Sequence, residues 1–394
     1  MSPNDVYIVS AARTPIGAFC GSLSTLKASD LGSIVIKEVL KRANVDTKDV
    51  SEVILGQSLT AGQGQNPARQ ASMSAGLPVD IPAFQINMLC GSGLKSVMLG
   101  YQSILCGQSN IVISGGQESM SQSHHSMHMR SGFKMGDACL VDTMLKDGLT
   151  DAFNNEHMGK TAENIAVEYN INRQDQDTQA EKSQNLAEIA QKEGYFNSEI
   201  VPVTVPNRKG DILVEVDEYP KHGTTLEALS KLRPCFNKEN GTVTAGNASG
   251  INDGAAAVLL MSSEEINKRN IKPLAKIIAF AENGCEPNVM GIGPVGAVKK
   301  VLSKAQWNIE EVDLFELNEA FAAQALAVNR QLNINASKVN IHGGAIALGH
   351  PIGASGARVL VTLLYALKRT GGKKGIASLC IGGGMGIAIA IETC

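Results

Sequence analysis

The order strand, helix, strand runs through this chain twice, and that repeat limits the fold more than any single motif does. From the N-terminus, hydrophobic periodicity predicts a strand at Val6 to Ser10 and a helix over about Leu31 to Ala43. A strand at Glu52 to Gly56, a helix over Pro67 to Ala75 and a strand at Ala83 to Asn87 follow, then a helix from about Gly93 to Leu105 and a strand at Ile111 to Ser114. Asp30 is placed to cap the first helix, Pro67 to open the second and Gly76 to close it. From about Lys272 the order returns: strand Ala275 to Phe280, helix Val295 to Ala305, strand Asp313 to Glu316, helix Ala320 to Leu332, strand Val339 to Ile341, helix Ser355 to Lys368, and strands Ile376 to Leu379 and Gly386 to Ile391. The strands are nearly continuous apolar runs, as a sheet covered on both faces requires. Aligned on this order, CGSGLKSVMLG (90 to 100) faces HPIGASGARVL (350 to 360), and Ser114-Gly115-Gly116 faces the glycine turn Ile381 to Gly384. The fold class is α/β, with two duplicated halves; a coincidental run of similar α/β units is the alternative reading.

Between the halves the pattern changes to polar helices (Thr161 to Tyr169, Arg173 to Glu193) and irregular segments. The organisation expected is therefore 1–120, completed by about 251–271, then an inserted region 121–250, then 272–394. The run QSHHSMHMRSG (122 to 132) has no Cys or carboxylate set at ligand spacing, so a surface or subunit-contact loop is expected there rather than a metal site. With 394 residues, 43% of them hydrophobic, the chain can bury large cores. A formal charge of -3 leaves no footprint for nucleic acid and no polybasic run for a membrane surface. The longest uncharged stretches, Val339 to Ala357 and Gly375 to Ile391, are broken by glycines and do not read as membrane spans. No secretory leader and no CxxC pair accompany the eight cysteines, so reduced thiols and a cytoplasmic setting are expected.

Four stretches carry chemistry. In Asn87-Met88-Leu89-Cys90-Gly91-Ser92-Gly93, a cysteine passes from a strand onto the first turn of a helix. Helix-start N–H groups stabilise a thiolate and can lower a thiol pKa from ~8.5. Gly91 and Gly93 clear the approach to it. Asn318-Glu319-Ala320-Phe321 opens a helix after a strand, Gly343 to Pro351 presents His350 at the end of a flexible loop, and Cys380-Ile381-Gly382-Gly383-Gly384 ends a strand with a thiol and a glycine turn. Taken singly, each has a structural explanation: buried core cysteines, an N-cap for Asn318, a satisfied loop histidine, a hairpin.

Together, NMLCGSG (87 to 93), NEAFAA (318 to 323), GGAIALGHPIGASGAR (343 to 358) and CIGGGMG (380 to 386) resemble the thiolase family across almost the full length. The segment HMGKTAEN (157 to 164) is most similar to its biosynthetic branch. That resemblance implies two α/β halves packed together with an inserted loop domain, and an acetyl-CoA C-acetyltransferase. Such an enzyme joins two acetyl-CoA reversibly into acetoacetyl-CoA and CoA through an S-acetyl-cysteine, as part of lipid metabolism. A Claisen condensation needs a nucleophile, an α-proton base and donors for two oxyanions. The resemblance assigns Cys90 as nucleophile, Cys380 as base, and His350 as proton carrier. It gives the enolate oxygen to His350 and a water on Asn318, and the acyl carbonyl to the N–H groups of Cys90 and Gly382. No metal or redox cofactor is implied, since coenzyme A enters as substrate. For that substrate the family pattern names Leu149, His157, Met158, Ala245, Gly246 and Ser249 along the pantetheine arm, with Phe236 and Phe321 shaping the pocket. Arg208, Lys209 and Lys221 are assigned to the nucleotide end, or are simply solvated surface cations. Lys221 stands where relatives often carry Arg and offers a point charge rather than a stackable plane. A homotetramer is implied, with the Met/His run at its outer contact. Two other classes share the resemblance: a decarboxylating condensing enzyme, which would not need Cys380, and a non-catalytic acyl-CoA or lipid carrier, which would not need the reactive groups at all.

Overall fold

Residues 5–394 are described by a computed structural model. The first half supplies β1 (Val6–Arg13), α1 (Ala28–Ala43), β2 (Glu52–Gly56), α2 (Pro67–Ser74), β3 (Ala83–Ile86), α3 (Ser92–Leu105) and β4 (Ile111–Ser119). After an excursion containing α4 (Met158–Glu168) and α5 (Arg173–Lys192), β5 (Asn252–Ser262) completes it. The second half adds β6 (Ala275–Gly284), α6 (Gly293–Ala305), β7 (Leu314–Leu317), α7 (Ala322–Leu332), α8 (Ile352–Thr370), β8 (Lys374–Ile381) and β9 (Met385–Thr393).

Hydrogen bonds link the strands in the order β3-β2-β4-β5-β1-β6-β9-β8-β7. Outward from its centre the two sides match. β1 and β6 meet antiparallel through Tyr7 with Lys276 and Ile8 with Ala275. Two antiparallel pairings and then a parallel one follow on each side. A bulge interrupts β1 at Ile8/Ser10 and β6 at Ile277/Ala279, so even the irregularities repeat. The excursion occupies the junction between β4 and β5, whereas the matching junction between β8 and β9 is the turn Gly382 to Gly384.

Three expectations need correction. Ser114-Gly115-Gly116 is no turn but lies inside β4. A Cβ on Gly115 would come within 2.2 Å of the Ala256 carbonyl in the neighbouring strand β5, and one on Gly116 within 2.1 Å of the Gly353 carbonyl, so these glycines permit close approach of a strand on one side and a helix on the other. The strand expected at Val339 to Ile341 shrinks to a single parallel bridge between Phe315 and Val339. There the Asn340 side chain accepts from the Leu317 N–H at 2.8 Å and donates to its carbonyl at 2.7 Å, replacing the backbone ladder. Asp30 is not the cap of α1: Lys27 is, and Asp30, third in the helix, accepts the Lys27 N–H at 3.0 Å from inside.

Strand alternation sorts the core into layers. Along β5, Ala255, Ala257, Leu259 and Met261 face the cluster under α1 and α2, while Ala256, Val258 and Leu260 face a central cluster. Along β9, Ile387, Ile389 and Ile391 face that same central cluster, and Ala388 and Ala390 face the one that includes Ala297, Val298 and Val328 from α6 and α7. The central layer is formed by α3 and α8, two helices from different halves. They touch backbone to backbone: a Cβ on Gly356 would lie 2.3 Å from Leu94 N, and one on Gly93 would lie 2.7 Å from Ala357 N. Gly356→Val should therefore destabilise the fold by roughly 2 kcal/mol or more, the scale of overpacking against atoms that cannot yield. Urea unfolding followed by circular dichroism checks this, and an unchanged midpoint would contradict the contact.

Candidate active site

The crossing of α3 and α8 brings together the segments that precede them. Cys90 sits in a tight turn, Leu89–Gly91, between β3 and α3. Leu89 takes a left-handed φ of 47°, costly for a residue with a Cβ. The turn is held from both sides: Ser92 Oγ accepts the Met88 N–H at 2.8 Å and donates to the Leu89 carbonyl at 2.7 Å, and Asn87 Oδ1 accepts the Leu89 N–H at 3.0 Å. A Cβ on Gly91 would strike Ile381 Cδ1 at 2.4 Å, so glycine lets the turn lie against β8.

The half-buried Cys90 thiol is not a depressed one, contrary to the expectation from its helix start. Burial pushes it up to about 11; the backbone N–H groups of Gly382 and of Cys90 itself pull the other way, and the charge of Glu118 adds to the rise. At rest Cys90 is a thiol rather than a thiolate.

His350 is also shaped by burial. The loop before it is not flexible: Ala345–Leu348 is a fully buried helical turn. It is braced by Glu319, which accepts Ser183 Oγ at 2.6 Å, Gln179 Nε2 at 2.9 Å and the Ile346 N–H at 3.3 Å. Asn252 Oδ1 takes the His350 N–H at 2.9 Å. His350 Nδ1 lies 2.6 Å from Ser355 Oγ, whose proton goes to the Pro351 carbonyl at 2.8 Å. Ser355 therefore accepts from Nδ1–H, and Nε2 keeps its lone pair. Burial first, then the Arg358 guanidinium, lowers His350 to about 3, so the ring is neutral at physiological pH. Asn318 Nδ2 stands 3.5 Å from Nε2.

Cys380 ends β8, wholly buried in a cluster with Met158, Ala248, Met290 and Phe321. Burial holds its thiol well above the ordinary value, and negative charge on Cys90 or Cys285 would raise it further.

Cys90, His350 and Gly382 line a cavity of about 260 Å³, to whose wall the described residues contribute no carboxylate, lysine or arginine. Leu149, His157, Met158, Ala245, Ser249, Phe236 and Phe321 line it too. His157 stacks on Phe236 at 4.7 Å between ring centroids, and Phe236 meets Phe321 edge-on at 6.5 Å. The loop carrying Ala245 and Ser249 is tied to the start of α7 by Ser249 N–H to the Ala320 carbonyl at 3.0 Å and Ala322 N–H to the Asn247 carbonyl at 2.9 Å. Asn318, Cys380 and Gly246 stand outside the lining. Gly246 packs against Leu229 and Leu232. Arg208 and Lys209 lie in an exposed segment between the short strands Val203–Val205 and Ile212–Val214, away from the cavity wall. Lys221 is exposed, its ammonium 5.5 Å from the Tyr219 ring centroid. That ring abuts Gly250, which does line the cavity.

Sequence reasoning missed Glu118, Asn252, Ser355 and Arg358. Glu118, wholly buried, accepts N–H groups from Ser58 at 2.9 Å, Leu59 at 3.2 Å and Gly353 at 2.9 Å, joining the two halves at the start of α8. Burial raises it to about 7, against those three bonds. Ser355 and Arg358 were within reach, since both belong to the GHPIGASGAR stretch three residues apart on one helical face. Glu118 and Asn252 carry no local signal.

The thiolase N-terminal domain model matches residues 6–264 and the thiolase C-terminal domain model residues 271–393. An acetyl-CoA acetyltransferase of Chromobacterium violaceum is 60% identical over 390 residues, covering 98% of this chain and 99% of that protein. A cytosolic acetyl-CoA acetyltransferase of Mus musculus is 57% identical, with 98% of each covered. Among solved structures, the Bacillus anthracis acetyl-CoA acetyltransferase superposes with a TM-score of 0.97 at 42% identity, and human mitochondrial 3-ketoacyl-CoA thiolase with 0.96 at 44%, each over 99% of both chains.

A thiol raised to about 11 is largely protonated at neutral pH and gains thiolate steadily as pH approaches that value. Alkylation of Cys90 by iodoacetamide, followed by peptide mass spectrometry, should thus accelerate continuously between pH 7 and pH 10. A rate that is already flat across that interval would mean a resting thiolate.

Proposed function

The chain belongs to the thiolase family, and we infer from its cavity how its residues divide the work of an acyltransferase. The reaction is the reversible condensation of two acetyl-CoA to acetoacetyl-CoA and free CoA. What carries the assignment is that Cys90, His350 and Gly382 line one small apolar cavity, with Cys380 buried behind its wall. In the first half, Cys90 sulfur attacks the thioester, its proton passes to His350 Nε2 and then to the departing CoA sulfur. The N–H groups of Cys90 and Gly382 already face the Cys90 sulfur, and they are the donors proposed for the acyl oxyanion, worth ~3 kcal/mol each on the usual scale.

In the second half, Cys380 gives up its proton, which His350 Nε2 holds, and removes the α-proton of the second acetyl-CoA. The enolate oxygen is met by His350 Nε2–H and by a water on Asn318 Nδ2. As the C–C bond forms, the acetyl–Cys90 bond breaks and Cys90 recovers the proton from His350. Burial makes the Cys380 thiolate rare but strongly basic, which suits an α-proton. Bonds are exchanged without net oxidation, so the scheme calls for no redox cofactor, and the N–H donors take the oxyanions that a Lewis-acid metal would otherwise meet.

The pantetheine arm runs along Leu149, His157, Met158, Ala245 and Ser249, with Gly246 supporting that loop, and the nucleotide extends toward the Tyr219–Lys221 edge and Arg208–Lys209. We further propose that the chain works in the cytoplasm, a reading supported by its likeness to the cytosolic Mus musculus enzyme; no helix of the described residues is long and apolar enough to span a membrane. Its active form in this reading is a homotetramer, with the Met/His run of 122–132 at the outer contact; sedimentation giving a fully active monomer would contradict this.

Cys380→Ser should lower condensation and α-hydrogen exchange by roughly 10²-fold, the scale for loss of a general base. Exchange near the wild-type rate would remove Cys380 from that role. A cavity this small also predicts that acetoacetyl-CoA is cleaved with higher kcat/KM than 3-ketohexadecanoyl-CoA. Equal efficiency would refute the short-chain reading and favour a long-chain thiolase.

A further inference from the structure

Behind the active site, Arg358 and Glu316 are each only 2% exposed. Arg358 Nη1 lies 3.6 Å from Glu316 Oε2, yet among the described residues neither atom finds a hydrogen-bond partner, and Arg358 Nε finds none either. A buried guanidinium with idle donors is costly. The hydrogen bond that Arg358 does make goes from Nη2 to Asn318 Oδ1 at 3.5 Å.

A guanidinium only donates, so the Asn318 carbonyl end has to face it and the amide NH2 end has to face the other way. The other way is His350 Nε2, 3.5 Å from Asn318 Nδ2. That nitrogen carries a lone pair because Ser355 takes the Nδ1 proton and passes its own to the Pro351 carbonyl. A flipped Asn318 amide would set donor against donor at Arg358 and acceptor against acceptor at His350. The donors run in one direction, from Arg358 to Asn318, His350, Ser355 and the Pro351 carbonyl.

We propose that Arg358 is a positioning residue that fixes the Asn318 amide with its N–H directed to the site of the enolate oxygen. This rests on the reading of Asn318 and His350 as the enolate site. Arg358 touches no substrate atom; it acts through Asn318. Lysine at 358 keeps the charge but loses the planar fork that reaches the amide oxygen.

The test is a double-mutant cycle on α-hydrogen exchange of acetyl-CoA, using Arg358→Lys, Asn318→Ala and the double variant. Arg358→Lys should lower kcat for exchange about tenfold, the scale of one lost orienting hydrogen bond, with KM for acetyl-CoA unchanged. In the Asn318→Ala background the same substitution should cost nothing further. Multiplying effects, or a Arg358→Lys enzyme that exchanges at the wild-type rate, would overturn the relay alone. An Asn318→Ala enzyme with normal exchange would refute the enolate-site reading itself, and the relay with it. Should Arg358→Lys not fold, Arg358→Met with Glu316→Leu removes both buried charges. That pair should show the same loss and the same silence in the Asn318→Ala background, and a multiplying loss would again overturn the relay.

Discussion

The contact on which the rest depends is the crossing of two helix backbones at Gly93 and Gly356. Each half contributes one helix to the central layer, and each helix begins where its half carries a reactive side chain. A Cβ at either glycine would fall 2.3 to 2.7 Å from a backbone nitrogen of the other helix, so with any side chain there the helices could not approach this closely. Because they do approach, the turn holding Cys90 and the loop holding His350 open onto one cavity. Glu118 reinforces the junction by accepting N–H groups from both halves. The two-residue pairing of β1 with β6 completes the join at the level of the sheet.

Burial sets the chemistry of that cavity. It pushes the Cys90 thiol up and the His350 imidazole down, so the resting pair is neutral. In the proposed reaction, ionisation is deferred until a thioester arrives, which would keep an idle thiolate from reacting with other electrophiles. The price is that every proton must have a defined carrier. Ser355 fixes the His350 ring, Asn252 holds the His350 backbone N–H, and Asn318 faces the free ring nitrogen. Glu319 belongs to the same tetrapeptide as Asn318 but serves as a brace for the loop before His350.

Much of this was legible in the chain. The periodicity located the strands and helices of both halves, because apolar alternation follows directly from facing a core. That Cys90, His350 and Gly382 share one cavity wall was legible only from the four motifs taken together, since the glycines beside them also serve packing, as Gly91 does against Ile381. The Ser114–Gly116 reading failed because glycine serves close approach as well as turning, and sequence does not say which. The strand at Val339 failed because one side chain, Asn340, supplied the hydrogen bonds of a ladder. The Cys90 thiol was misjudged in direction, since a helix start is a local signal and burial is a tertiary one. Glu118 and Asn252 act across 59 to 235 residues of sequence, and no local pattern announces such partners.

The central claim is that Cys90, and no other of the eight cysteines, receives the acetyl group. Mixing the protein with labelled acetyl-CoA, quenching in acid and mapping cysteine peptides by mass spectrometry tests it most directly. The account predicts acetyl label on the peptide containing Cys90, lost on addition of CoA. Label on Cys380 instead, or turnover with no labelled cysteine at all, would contradict it.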